Sequence, residues 1–321
     1  MDTTEVRFER INFDDETFRI SEDLDPAPLE ESLREVGQLN PVILLDREGS
    51  AGIIVCGFRR LRALKRMGAD RCLARYLPAD RCAPLAALRI ALWDNLAHRR
   101  LDPLEKARVL NALKNSCGVG QDRLVDSYLK PLGLAPHKNV LKTYLGLHDL
   151  DRDLKRLLGE DLITVASAER LAGMTRETQA AIATVLGAAR FSASLQRQLL
   201  DLIEDVAAIE GRAAGEITKA PEILQAANDA SRSPYQRGEA IYTILYRRRN
   251  PRLSRAQERF LDGRRRLELP GSVRVTPDPF FERPRIRVEF EAPSAESFRE
   301  IAGALDRAGR TGDLAQLFEV E

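Results

Sequence analysis

Hydrophobic positions recur with two different periods in the first eighty or so residues. Over Pro28–Val36 (PLEESLREV), Leu29, Leu33 and Val36 fall on one helical face, and Gly37 closes the helix. Pro41–Leu45 (PVILL) and Gly52–Cys56 (GIIVC) are instead short continuous apolar runs separated by the turn-forming DREGS at 46–50, which predicts two strands. Gly57 ends the second run. Phe58–Met67 (FRRLRALKRM) then resumes helical spacing through Leu61 and Leu64 as far as Gly68. Arg71–Leu77 reads as a further strand and Glu5–Phe13 as an extended entry, giving a small α/β unit of roughly 80 residues.

From Pro84 the strand signals stop. Helical stretches follow at 84–99, 103–116, 120–131, 137–147, 151–158, 164–172 and 175–187, mostly divided by Gly, Pro or Asp, with the short connectors expected of packed helices. A longer helical pattern at 191–209 runs into AAGEITKAP, whose small and breaking residues predict a linker over 212–233. Helices at 235–248 and 254–264, strands at 271–276 and 284–290 and a helix at 294–308 complete an α+β tail. The expected organisation is therefore α+β: an N-terminal α/β domain at 1–83, a helical domain at 84–211, the linker at 212–233 and an α+β module at 234–321. Neither an internal repeat nor a low-complexity tract interrupts it.

Composition narrows the class. At 321 residues, 44% hydrophobic and 31% charged, the chain has material for about two domains and is neither disordered nor fibrous. Cys56, Cys72, Cys82 and Cys117 form no CxxC pair, and only three histidines could join them, which argues against a zinc site. With no charged-then-apolar leader and no apolar run of about 20 residues, a cytoplasmic protein with reduced thiols and no membrane partner is expected.

Fifty Lys+Arg nearly cancel 49 Asp+Glu, so an anionic partner must be sought in local clusters. Between Gly57 and Arg75 sit seven basic residues against the single acid Asp70, with Arg59, Arg62 and Arg66 at helical spacing. The strand–Gly–helix junction at Cys56–Gly57–Phe58 aims backbone N–H groups at whatever precedes the helix, a position suited to an anion. A solvated basic helix face is the plainer alternative. Neither GxGxxG nor GxxxxGK[ST] occurs, so a dinucleotide fingerprint and a P-loop are excluded.

A second basic island, Arg99 to Lys142, contains Gln121–Lys130 as a helix, a tight connection at Pro131–Ala135, and Pro136–Leu147 as a second helix. That is the outline of a helix-turn-helix, whose second helix can enter the major groove of DNA. Its outward set would be His137, Lys138, Asn139, Lys142 and Thr143, with Val140, Leu141, Tyr144 and Leu145 packed inward. An ordinary helical hairpin fits the same spacing. A third run, Arg247–Arg249 with Arg252 and Arg255, reads as a solvated face that could also hold phosphates nonspecifically.

Taken in order, Phe18–Arg19, PLEESLREVGQLNPVIL (28–44), IIVCGFRRLRALKRMG (53–68) and DNLAHRRLDPLEKARVL (94–110) resemble the successive boxes of the ParB N-terminal domain, which shares its fold with sulfiredoxin. The helices at 120–147 and LLGEDLITVASAERLAGM (157–174) resemble that family's helix-turn-helix domain, so the similarity covers about residues 6–190. The resemblance implies an N-terminal domain that binds a nucleoside triphosphate, usually CTP, with Mg²⁺. It further implies a helix-turn-helix that binds a specific site in double-stranded DNA, and a homodimer that closes as a clamp on it.

Carried onto this sequence, Gly57, Arg59, Arg60 and Arg62 match the G-E-R-R-x-R-A phosphate box, Ala63 completes it, and Gly37 and Pro41 match the G-x-x-Q-P segment near the nucleotide. Asn95 matches the Asn of the E-N-x-Q-R box, where Glu and Asn serve the metal and triphosphate. Asp94 stands at the Glu position and would be the other metal ligand. The family would place the protein in plasmid or chromosome partition or in transcriptional regulation, associated with nucleoid or plasmid, with a ParA-type ATPase as partner. Several positions depart from the pattern: Phe58 replaces Glu, Asp94 replaces Glu, Ala97 replaces Gln, His98 replaces Arg and Asn40 replaces Gln. Losing an Arg and a carboxylate predicts weaker nucleotide binding and a still weaker CTPase activity, because metal positioning tolerates little displacement. The tail at 234–321 does not resemble the family's short dimerisation domain, and residues 1–13 lack a basic ParA-engaging peptide.

Three other readings are weighed against this one. Sulfiredoxin chemistry requires a reactive Cys where this chain has Phe58, and Cys56 reads as a small buried hydrophobe. A nuclease would need a metal-bound carboxylate cluster, and only Asp94 lies near a candidate site. A DNA-binding regulator with a degenerate nucleotide pocket satisfies the same motifs. Trp93, Tyr128 and Tyr144 are expected to pack in cores rather than stack on bases.

Overall fold

The structure, a computed structural model, describes residues 2–21, 25–47, 50–78, 82–279 and 281–318. The chain divides into two compact units, Met1–Gln196 and Arg197–Glu321.

The apolar runs of the first unit build a five-stranded mixed sheet. It comprises β1 (Thr4–Arg7), β2 (Ile11–Asn12), β3 (Val42–Leu45), β4 (Gly52–Cys56) and β5 (Arg71–Leu77), in the order β1-β5-β3-β4-β2. The expected extended entry is thus two strands joined by a short 3₁₀ turn, Phe8–Arg10. β3 pairs antiparallel with β4 and parallel with β5, which puts Ile43 opposite both Cys56 and Arg75. Every residue of β4 is buried, as its uninterrupted apolar sequence predicts. Glu48 and Gly49 of the expected turn lie outside the described residues.

Helix α1 (Ala27–Val36) and α2 (Phe58–Arg66) pack on each other, and Leu61 of α2 is fully buried with Val42, Leu44, Ile54 and Ala74 of the sheet. A proline in the first turn and a glycine at the end set the limits of α1: Gly37, at φ +69°, takes its C-terminal position and donates its N–H to Leu33 O at 3.1 Å. Helix α3 (Pro84–His98) packs against β4 and buries Ala87, Leu88, Ala91 and Leu92. The helix that the sequence groups with the helical domain therefore also forms one wall of the α/β unit.

Beyond it run α4 (Pro103–Asn111), α5 (Gln121–Leu124), α6 (Lys138–Leu147), α7 (Arg152–Gly159), α8 (Val165–Ala172) and α9 (Arg176–Ala188). Wider π-type turns extend α4 through Ala112–Ser116 and α5 through Val125–Leu129. Two buried amides tie this bundle together. Gln179 accepts the Asp151 N–H at 2.7 Å; Gln196 accepts the Thr164 N–H at 3.0 Å and donates to the carbonyls of Leu162 and Phe191.

In the second unit the stretch 212–233, expected to be a linker, contains α11 (Ala214–Thr218) and α12 (Pro221–Ala227), following α10 (Ala193–Glu210). The residues read as breakers start helices here: Pro221 occupies a first helical turn, where its missing N–H costs nothing. Helices α13 (Pro234–Arg249) and α14 (Pro251–Arg266) precede the hairpin β6 (Val273–Pro277)–β7 (Ile286–Phe290), α15 (Ala295–Gly309) and α16 (Gly312–Gln316). The α+β character expected of this tail is present, centred on Phe260, Val273, Val275, Ile301 and Leu317.

Candidate functional site

The chain leaves β4 through Gly57, whose φ of +102° lies in the left-handed region. A Cβ built there would stand 2.7 Å from Val42 Cγ1, so both the turn and the close approach of the backbone require glycine. One residue earlier the β3–β4 register shifts between Ile43 and Leu44, a bulge that re-aims the end of β4. Together these features open a cleft of about 490 Å³ at the start of α2, between that helix, the ends of β3 and β4, and α3.

Of the residues expected to bind nucleotide, Pro41, Gly57, Arg59, Arg60, Asp94 and Asn95 all line this cleft. Arg62 does not: it lies exposed on the far side of the helix turn from Arg60. Arg59 donates to Asp25 O through Nε and Nη2, at 3.3 and 3.2 Å. Arg60 donates from Nη1 to Pro41 O at 3.1 Å, and burial lowers its pKa from the usual arginine range, an effect opposed by the nearby Asp94 carboxylate. Burial, the Asp94 charge and a hydrogen bond to that carboxylate push the Cys56 thiol up to about 12. That shift favours the protonated thiol, in keeping with the reading of Cys56 as a small buried hydrophobe.

Asn95 is held on both sides. Its Nδ2 donates to Ala91 O at 2.8 Å, and its Oδ1 accepts from Arg99 Nε and Nη2 at 3.2 and 2.9 Å. Arg99 also donates to Ser21 Oγ at 2.9 Å and, at 2.6 Å, to the buried carboxylate of Glu105. The same Glu105 closes a capping box with Asp102 at the start of α4, accepting the Asp102 N–H at 3.0 Å while its own N–H reaches Asp102 Oδ1 at 2.9 Å. One guanidinium thus joins α3, α4 and the segment before α1 at the cleft wall.

The phosphate part of a nucleotide fits this donor set. A helix N-terminus without a side-chain cap, a glycine that lets the backbone approach, and two guanidiniums converge there. For a divalent cation the set is sparse: Asp94 supplies a carboxylate, and the Asn95 oxygen is engaged by Arg99. Among the described residues no three His, Cys, Asp or Glu side chains group as a metal site.

Sequence reasoning did not single out Ser21, Arg75 or Arg99 as cleft residues. Arg75 arrives through the parallel β3–β5 pairing, a non-local register invisible to local pattern, and it donates to Thr3 Oγ1 at 3.0 Å. Arg99 carried one local signal, its place four residues after Asn95 on one helical face.

The helix-turn-helix outline is present as α5, its π-type extension, a connection turning at Gly133 (φ +70°), and α6. On α6, Leu141 and Tyr144 are buried, Val140 and Leu145 are half-buried, and His137, Lys138, Asn139 and Lys142 are exposed. Thr143 is half-buried at the edge of that outward face, where its hydroxyl lies 2.6 Å from Glu169 Oε1 of α8. Lys138 Nζ pairs with Asp122 at 2.9 Å. Tyr128 and Tyr144 pack in the core as expected, but Trp93 does not: it is 50% exposed, because Ala87, Leu88, Ala91 and Leu92 take the inner face of α3. In the second unit three arginines of the third basic run are ion-paired, Arg248 with Glu210 and Glu222, Arg249 with Asp205 and Arg247 with Glu258.

No family model matches the chain. Among curated proteins, it is 31% identical over 152 residues to a probable chromosome-partitioning protein ParB of Pseudomonas putida, covering 43% of this chain and 51% of that one. It is also 31% identical over 173 residues to the stage 0 sporulation protein J of Bacillus subtilis, covering 53% and 54%. The chain spans about half the length of these relatives. Among solved structures, a C-terminally truncated ParB from Caulobacter crescentus complexed with CTP-γ-S is 23% identical, with a TM-score of 0.25, over 58% of this chain and 99% of that one. No helix among the described residues is long and apolar enough to cross a membrane.

Proposed function

Because the chain belongs to the ParB family, we propose that its first unit binds CTP in the cleft at the start of α2 and a specific duplex DNA site through α6, in the service of chromosome or plasmid partition. The observation that carries this reading is the convergence of Gly57, Arg59 and Arg60 from one helix start with Asp94 from a later helix on a single cleft. The helix terminus and the guanidiniums would act on the same phosphates, the Arg side chains by charge-assisted hydrogen bonds and the backbone by its free N–H groups. Mg²⁺ would arrive with the triphosphate, and Asp94 would be its protein carboxylate. When bound, the cation neutralises phosphate charge. Asn95, with its oxygen turned to Arg99, would hold that arginine rather than the metal.

The homodimer on DNA and a ParA-type ATPase partner belong to the same proposal, as does residence on nucleoid or plasmid. One specific observation favours a second reading, a DNA-binding regulator whose nucleotide pocket has become a structural contact. Arg99 is engaged within the chain by Asn95, Ser21 and Glu105, which fixes this wall of the cleft as a structural contact. Titration of the full chain with a duplex carrying the inverted repeats of its own operon, with and without CTP and Mg²⁺, separates the readings. The lead reading expects tight, nucleotide-responsive binding to the repeats over a scrambled duplex. Binding to the repeats that ignores nucleotide supports the regulator, and equal affinity for the scrambled duplex at moderate salt contradicts both.

A further inference from the structure

Among the groups that this function leaves unused, Glu169 stands out by its position. It is an exposed carboxylate on α8, packed beside α6, and its Oε1 lies 2.6 Å from the Thr143 hydroxyl. That hydroxyl has a single proton and two acceptors in reach, the carboxylate and the Asn139 carbonyl at 3.0 Å. The shorter bond, to the charged acceptor, is the stronger. Glu169 is therefore fixed at the rim of the helix that faces DNA in the proposed function. Among the described residues it forms no ion pair, although the neighbouring face carries Lys138 and Lys142.

An unneutralised carboxylate is out of place on a surface built only to hold phosphates, which repel it. What a duplex offers a carboxylate in the major groove is an exocyclic amine, and the typical partner of Glu is cytosine N4. With Oε1 engaged by Thr143, Oε2 is left to accept from such a group. We propose that Glu169, oriented by Thr143, is a specificity-determining residue that selects a C·G pair beside the bases that face α6, and that its charge suppresses binding to other sequences. The proposal rests on the DNA-site reading above and adds a residue from outside the helix-turn-helix itself.

Duplexes selected from a random pool by the full-length wild type and by Glu169→Ala and Glu169→Gln variants test it. The wild type should enrich a site with a C·G pair whose replacement weakens its binding roughly 10- to 100-fold. Glu169→Ala should bind that site and its replaced version alike, and should bind scrambled duplex more tightly than the wild type does. Glu169→Gln keeps an acceptor oxygen but not the charge, and should retain part of the preference while binding scrambled duplex as Glu169→Ala does. Enrichment of the same bases, with the same penalties, by wild type and Glu169→Ala would overturn the proposal and leave the DNA-site reading standing, with the Thr143–Glu169 contact merely structural. A wild type that enriches no site would overturn the DNA-site reading, and this proposal with it.

Discussion

Gly57 shows how much of the cleft depends on one residue type. Its backbone is left-handed and its missing side chain is the space in which Val42 sits. Gly57→Ala must strain φ and displace Val42 from a fully buried position, so a loss of roughly 1–3 kcal/mol is expected, measured by urea denaturation. Arg60 is the complementary case: its guanidinium is partly desolvated beside Asp94 and, among the described residues, is bonded through Nη1 alone to a carbonyl, so donors remain for an anion. Cys56 lies in the same cleft, where burial and the Asp94 carboxylate push its thiol up, in keeping with its reading as a small buried hydrophobe.

At the scale of elements, the α3–α4 corner is built around the Arg99–Glu105 pair. Glu105 is buried and serves both the arginine and the α4 capping box, so Glu105→Ala removes two interactions at once. Arg99 keeps Asn95 and Ser21 and is a third exposed, which limits the cost to about 2–3 kcal/mol. Equilibrium unfolding measures it, and Glu105→Gln, which can still accept the Asp102 N–H, should recover part of the loss.

The strands, α1, α2 and the helical succession were legible because each rests on a local pattern: continuous apolar runs, helical spacing, and glycine or proline at the ends. The Gly57 junction was legible for the same reason. Arg75 and Ser21 were not, since parallel pairing and loop placement are long-range facts. Trp93 misled because a tryptophan is read as core, whereas the small and aliphatic residues of α3 already fill its inner face. The 212–233 stretch misled because proline and small residues mark a linker or a helix start with equal ease. The arginines of α13 looked like a basic face in sequence and are ion-paired in the fold, with acids from 38 to 44 residues earlier in the chain for the contacts to Glu210 and Asp205.

For the molecule as a whole, a net charge of +1 conceals the separation of roles. The first unit carries a cleft lined by arginines and a surface helix with the exposed Lys142, while Arg247, Arg248 and Arg249 of the second unit are spent on internal pairs. The central claim is that the cleft is a nucleotide site, and isothermal titration of the full-length protein with CTP and Mg²⁺, beside Arg60→Ala, tests it most directly. The account predicts saturable heat for the wild type and an affinity about 10- to 100-fold lower for Arg60→Ala, the loss expected for a hydrogen bond to a charged group. No heat with CTP, or an unchanged affinity in Arg60→Ala, would contradict it.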